Sequence, residues 1–236
     1  MKKKIALLIL TVFAINTLFG CSSTPQTSDT SESSTEATTN TTEATTTTEA
    51  TTTAKPVTES DFDITEHIAT FSYDKEDTCY FMIIKNNSTE AVKLDFNLKA
   101  HDSKDNIIGA TDAYVFLLGP GEETVCFSFF KGVRGVDHVS RIMTINENVK
   151  LEPQIGKLES TTHINKKNVI LTVTNNGENE ATEFYAYLLY FDKNGKLVDY
   201  SSEEIYSLMP GATYSKQFDT YVKYSTVKVY YSDVRW

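Results

Sequence analysis

One set of turn residues occurs twice in this chain, and that limits the fold more than any other feature. Asn86-Asn87 is followed by a turn-like Asp102-Ser103-Lys104-Asp105-Asn106 and then by Pro120-Gly121. Asn175-Asn176, Asp192-Lys193-Asn194-Gly195 and Pro210-Gly211 come in the same order, displaced by 89 residues at the Asn pair and by 90 at the two later turns. Self-similarity at a fixed period marks a duplicated structural unit. The residues between the turns alternate. Val92, Leu94, Phe96, Leu98 and Ala100 interleave with Lys93, Asp95, Asn97, Lys99 and His101. A period of two puts one set on a buried face and the other on a wet face of a strand.

The same pattern assigns the other strands. Tyr80 to Ile84 and Val169 to Val173 lead into the Asn-Asn turns, and Lys196 to Tyr206 returns from the Asn-Gly hairpin signal. Each Pro-Gly turns into a further strand, Glu122 to Phe130 or Thr213 to Asp219. The last strands are Val139 to Ile145 and Thr226 to Tyr231. No helical period runs over eleven residues. The expectation is an all-β chain with two tandem immunoglobulin-like β-sandwich domains, residues 61–148 and 149–236, and no helix outside the N-terminal segment.

The residues ahead of these units differ in kind. No Phe, Trp or Tyr lies between Phe19 and Phe62. Ser22 to Ser60 carries 16 Thr and 7 Ser in 39 residues, with Thr-Glu-Ala-Thr-Thr at Thr42–Thr46 and again at Thr48–Thr52. Ordering such a segment would cost backbone entropy with nothing buried in return, so residues 21–60 are expected to be a disordered Ser/Thr-rich linker. Such a chain averages roughly 35 Å end to end and stretches to on the order of 130 Å. Upstream, Lys2, Lys3 and Lys4 precede an apolar run from Ile5 to Phe19, too short for a permanent membrane span and suited to a secretory signal, residues 1–20. Leu18-Phe19-Gly20-Cys21-Ser22 resembles the lipobox of bacterial lipoproteins, with Phe19 where a small or β-branched residue is usual. The resemblance implies cleavage before Cys21, a diacylglyceryl group on its sulfur, and anchoring on the extracytoplasmic face of the cell membrane.

A second resemblance rests on Asn175-Asn176-Gly177, on Leu189-Tyr190-Phe191-Asp192, on Lys193-Asn194-Gly195-Lys196 and on Met209-Pro210-Gly211. Together these are similar to the FxLYD-type domains of bacterial surface lipoproteins. The first unit, with Asn86-Asn87-Ser88, Asp102 and Gly119-Pro120-Gly121, is similar but has His101 near its turn. The motifs specify turns and core positions. They imply an accessory or interaction module with no catalytic residues to carry over.

Composition narrows the chemistry. The formal charge of the chain is -10, and the two units hold 26 acidic against 18 basic residues, a balance of -8. That argues against a nucleic-acid partner. There is no Gly-x-Ser-x-Gly, phosphate loop, dinucleotide fingerprint or His-Glu-x-x-His. Glu122-Glu123 and Glu203-Glu204 point to opposite strand faces as neighbours and make no dyad. His67, His101, His138 and His163 have no metal-ligand spacing, so no metal, cofactor or catalytic activity is expected.

Two features leave alternatives open. Cys79 and Cys126 either form a disulfide, which an extracytoplasmic location permits, or are two small buried hydrophobes. The wet face Asp95, Asn97, Lys99 and His101 becomes Tyr185, Tyr187, Leu189 and Phe191 in the second unit. That apolar face is either covered by the first unit or a loop, or read one residue out of register, or is an interaction surface for an envelope protein, solute or glycan. The leading expectation is a non-enzymatic, lipid-anchored surface protein serving interaction or spacing; the alternative is a solute- or glycan-binding lipoprotein using the Tyr185/Tyr187 face.

Overall fold

Each sequence repeat folds into six antiparallel strands shared between two three-stranded sheets. The computed structural model describes residues 55–71, 74–147 and 149–235. The first repeat holds β1 (Phe62–Phe71), β2 (Asp74–Asn86), β3 (Val92–His101), β4 (Ile107–Leu118), β5 (Glu123–Phe130) and β6 (His138–Asn146). The second holds β7 (Leu158–Ile164), β8 (Asn168–Asn175), β9 (Ala181–Phe191), β10 (Leu197–Leu208), β11 (Thr213–Asp219) and β12 (Thr226–Arg235). Sheet β1-β2-β5 faces sheet β4-β3-β6, and β7-β8-β11 faces β10-β9-β12. The two topologies are the same strand for strand, as the repeated turns require. Short 3-10 turns at Glu59–Asp61 and Ile155–Lys157 are the only helical elements among the described residues. The chain is all-β, in sandwich-like pairs of antiparallel sheets.

Alternation places the cores. Val92, Leu94, Phe96, Leu98 and Ala100 of β3 are buried, while Asp95, Asn97 and Lys99 are exposed. The inner row meets Tyr80, Met82 and Ile84 of β2 and Cys126 and Phe130 of β5. In the second sandwich Phe184, Ala186, Leu188 and Tyr190 of β9 meet Val169, Leu171 and Val173 of β8. Full burial of such a side chain contributes about 1.5–3 kcal/mol, and each sandwich has its own row of them.

The Asn pairs show why that residue type stands there. Asn86 is fully buried, and its side-chain amide donates to the carbonyls of Glu90 (2.9 Å) and Leu118 (3.0 Å) while its Oδ1 accepts the Ser88 N–H (2.9 Å). Asn175 donates to Asn179 and Leu208 (both 2.8 Å) and accepts from Gly177 (2.8 Å). Its backbone oxygen also accepts the Gly211 N–H, as that of Asn86 accepts the Gly121 N–H, both at 2.8 Å. Only an amide offers two donors and an acceptor on one short side chain. It ties the end of one strand, the following turn and the Pro-Gly turn into one knot, satisfying the carbonyls and N–H that converge there.

The sequence pattern ends the last strand at Tyr231, whereas β12 continues to Arg235. Its pairing with β9 shifts register between Ser232 and Arg235, where Asp233 takes a φ of 55. A bulge breaks the two-residue period, so the alternation stops being readable before the strand stops.

Candidate functional site

The outer face of sheet β1-β2-β5 lies against the outer face of sheet β10-β9-β12, and the described residues of the two sandwiches form one compact unit. Phe71, Cys79, Phe81, Ile83 and Val125 come from the first sandwich, and Tyr187, Leu189, Phe191, Leu197 and Tyr230 from the second. Aromatic edges fill the seam. Tyr200 meets Phe81 edge-on with ring centroids 5.1 Å apart, and Phe127 lies 5.4 Å from Tyr200 and 6.0 Å from Tyr187. Such pairs add about 0.5–1.5 kcal/mol to the burial of their area. The Thr124 hydroxyl donates to the Tyr231 carbonyl at 2.6 Å, a buried hydrogen bond between the sandwiches.

This decides what covers the apolar face of β9. Leu189 is 0% exposed, Phe191 6% and Tyr187 9%, and burial pushes the Tyr187 hydroxyl well above the usual phenol range. Tyr185 is half-buried, and its hydroxyl donates to Glu204 Oε1 at 2.7 Å. The candidate interaction surface Tyr185, Tyr187, Leu189 and Phe191 is therefore corrected: these side chains face the first sandwich. The register read from the sequence holds, and the covering element is the other repeat.

The disulfide is corrected too. On β2 and β5, Met82 pairs with Cys126 and Cys79 with Phe129, so the two cysteines stand three positions apart along the ladder. An odd offset turns them to opposite faces. Cys79 packs in the seam and Cys126 in the first core, where burial pushes its thiol up to about 12. Both act as small buried hydrophobes.

One rim of the seam opens into a cleft of about 570 Å³ lined by His67, Glu123, Phe191, Lys193, Lys228 and Tyr230 among others. The His67 ring lies 5.2 Å from the Phe191 ring, and burial followed by the nearby Lys228 charge lowers its pKa. At the opposite rim the Asp233 carboxyl is pushed up by desolvation, against the nearby Arg235 charge, and its Oδ1 is buried with no hydrogen-bond partner among the described residues. A carboxyl whose pKa is raised in the folded state favours folding while protonated and loses that contribution as pH rises through the raised value. Asp233→Asn is thus expected to melt higher than the parent at pH 7, with the difference shrinking toward pH 4. Thermal melts across that range check it, and a difference independent of pH would contradict it.

The histidines need the third correction. His101 ends β3 and His138 starts β6, and the two are cross-strand partners although 37 residues apart in sequence. Their rings stack at 4.6 Å with an interplanar angle of 11°. Asp105, in the β3–β4 turn, places Oδ1 3.1 Å from His101 Nδ1 and 3.4 Å from His138 Nε2. Linear spacing hid this cluster; the signal available was that His101 closes one expected strand and His138 directly precedes another, Val139 to Ile145. His67 and His163 are in separate strands, β1 and β7, away from it.

No family model matches the sequence, and no curated protein matches it. Among solved structures the chain is similar to the crystal structure of red sea bream transglutaminase, at 13% identity and a TM-score of 0.26, over 70% of this chain and 27% of that one. The chain spans about a quarter of that protein's length, and a likeness this slight carries no argument. Cys21 and the leader lie outside the described residues. Among the described residues no helix is long and apolar enough to cross a membrane.

Proposed function

We propose that this chain is a lipid-anchored protein of the bacterial cell envelope. Its FxLYD-like β-sandwiches form a rigid, non-enzymatic head for interaction or spacing, held out from the membrane by the Ser/Thr-rich segment. The observation that carries the reading is the order of parts along the chain: a basic and apolar leader ending in Gly20-Cys21, then a Ser/Thr-rich stretch, then the duplicated β unit. Two acyl chains on one cysteine suffice for stable attachment, where one would give only marginal binding. The apolar seam supports the rest, since two sandwiches locked together make a body that transmits position instead of a flexible string of modules. The solute- or glycan-binding alternative required an open Tyr185/Tyr187 face, and that face is spent on the seam.

Cys21→Ser in the full-length chain is expected to move the protein from the detergent phase to the aqueous phase in Triton X-114 partitioning of the producing cells, and to abolish metabolic labelling with palmitate. A variant that still partitions with detergent would overturn the lipid anchor.

A further inference from the structure

We propose that His101 Nδ1, His138 Nε2 and Asp105 Oδ1 form a binding site for a divalent first-row transition ion, Zn²⁺ foremost. The three atoms lie within 4.8 Å of one another. Ligands held about 2.0–2.2 Å from a tetrahedral zinc ion stand about 3.4 Å apart, so the spacing of this set suits one ion, and the stacked rings must tilt out of parallel to aim both nitrogens at it. Two imidazoles with one carboxylate are a donor set that suits zinc and leave a coordination position for water or an outside ligand. In the geometry seen, the carboxylate oxygen sits opposite one nitrogen of each ring.

The ring nitrogens not aimed at Asp105 are already engaged. His101 Nε2 lies 2.8 Å from Ser140 Oγ, and His138 Nδ1 lies 3.4 Å from Asp137 Oδ2. Such outer partners fix the tautomer and ring orientation of metal-binding histidines. Asp137 and Asp105 also bring two carboxylates to two imidazoles, a balance that favours a cation. The neighbouring Asp102 is occupied differently: Asn106 and the N–H of Lys104 hydrogen-bond its carboxylate and lower its pKa, which makes it a turn-former.

The repeat serves as an internal control. Positions 191, 195 and 226, which correspond to His101, Asp105 and His138, are Phe, Gly and Thr. Gly195 has a φ of 79, and Asp105 holds the equivalent left-handed backbone at a φ of 65. The fold thus builds the same hairpin with glycine, where no side chain is strained, and the first repeat instead spends an aspartate there, aimed at both histidines. The side chains of Asp105 and His138 are 80% and 49% exposed, so the ion would have direct access. Once bound, it would clamp the β3–β4 turn to the start of β6.

The test is calorimetric titration of the purified full-length chain with Zn²⁺, alongside Asp105→Asn and His138→Gln. Both substituted side chains are exposed, so folding is not at stake, and far-ultraviolet circular dichroism checks that. One ion per chain is expected, with affinity weakened at least tenfold in either variant and a melting temperature raised by Zn²⁺ only in the parent. Absence of binding at millimolar Zn²⁺ would overturn the proposal. Binding that neither substitution weakens would overturn it equally, because the ion would then sit on other ligands.

Discussion

Leu189→Lys is expected to part the two sandwiches while leaving each folded. Leu189 is fully buried near the end of β9, on the face turned to the first sandwich. A lysine there must either leave an ammonium in the seam without a counter-charge, at a cost of several kcal/mol, or break the seam and reach water. The second outcome costs less, because the other face of β9 keeps its own buried row, Phe184, Ala186, Leu188 and Tyr190. The first repeat shows that a sandwich tolerates the residue: the matching position on β3 is Lys99, which is exposed. Small-angle scattering should give a larger radius of gyration, and calorimetry two transitions in place of one. Protease sensitivity should rise in the connection between β6 and β7. An unchanged radius with a single transition would show that the seam does not hold the sandwiches together in solution.

Asn175→Ala should act in the other direction, unfolding the second sandwich from within. The substitution leaves the carbonyls of Asn179 and Leu208 and the N–H of Gly177 without their partner, at a site where the Asn is 1% exposed. Each buried polar group deprived of its bond costs about 1–3 kcal/mol. Water will reach some of them, so a loss of about 3 kcal/mol is expected, read as a lower denaturant midpoint at unchanged slope. Asn175→Asp should recover little, since a carboxylate cannot donate to two carbonyls. The same exchange at Asn86 should weaken the first sandwich by a similar amount. A loss under about 1 kcal/mol at both sites would mean that the knots are held by their backbone bonds alone.

The comparison with sequence depends on range. β3 was readable residue by residue because its inner and outer rows alternate without interruption, and β11 runs from Thr213 to Asp219 as its pattern indicates. The turns were readable because Asn, Gly and Pro restrict backbone geometry locally. Relations between strands far apart in the chain were not. That Cys79 and Cys126 turn to opposite faces follows from the β2–β5 register, which no local pattern reports. The pairing of His101 with His138 has the same origin. For Tyr187, Leu189 and Phe191 the apolar character was plain, but it says only that something covers them, and the docking of one repeat on the other decides what.

That docking joins unlike faces, sheet β1-β2-β5 of one repeat to sheet β10-β9-β12 of the next. A contact of this head-to-tail kind is not self-complementary, and identical units using it would keep adding, into a ring or a column, unless something stops them. The two free ends of this pair are altered so that the column stops. At one end the surface that would receive another unit carries Asp95, Asn97 and Lys99 in place of Tyr185, Tyr187 and Leu189. At the other end, Cys79, Phe81, Ile83, Val125 and Phe127 are replaced by Asn168, Ile170, Thr172, Ser215 and Gln217, and only Ile170 stays apolar. The differences between the repeats thus act as end caps: they make a finite object of two units from a contact that could otherwise repeat without limit.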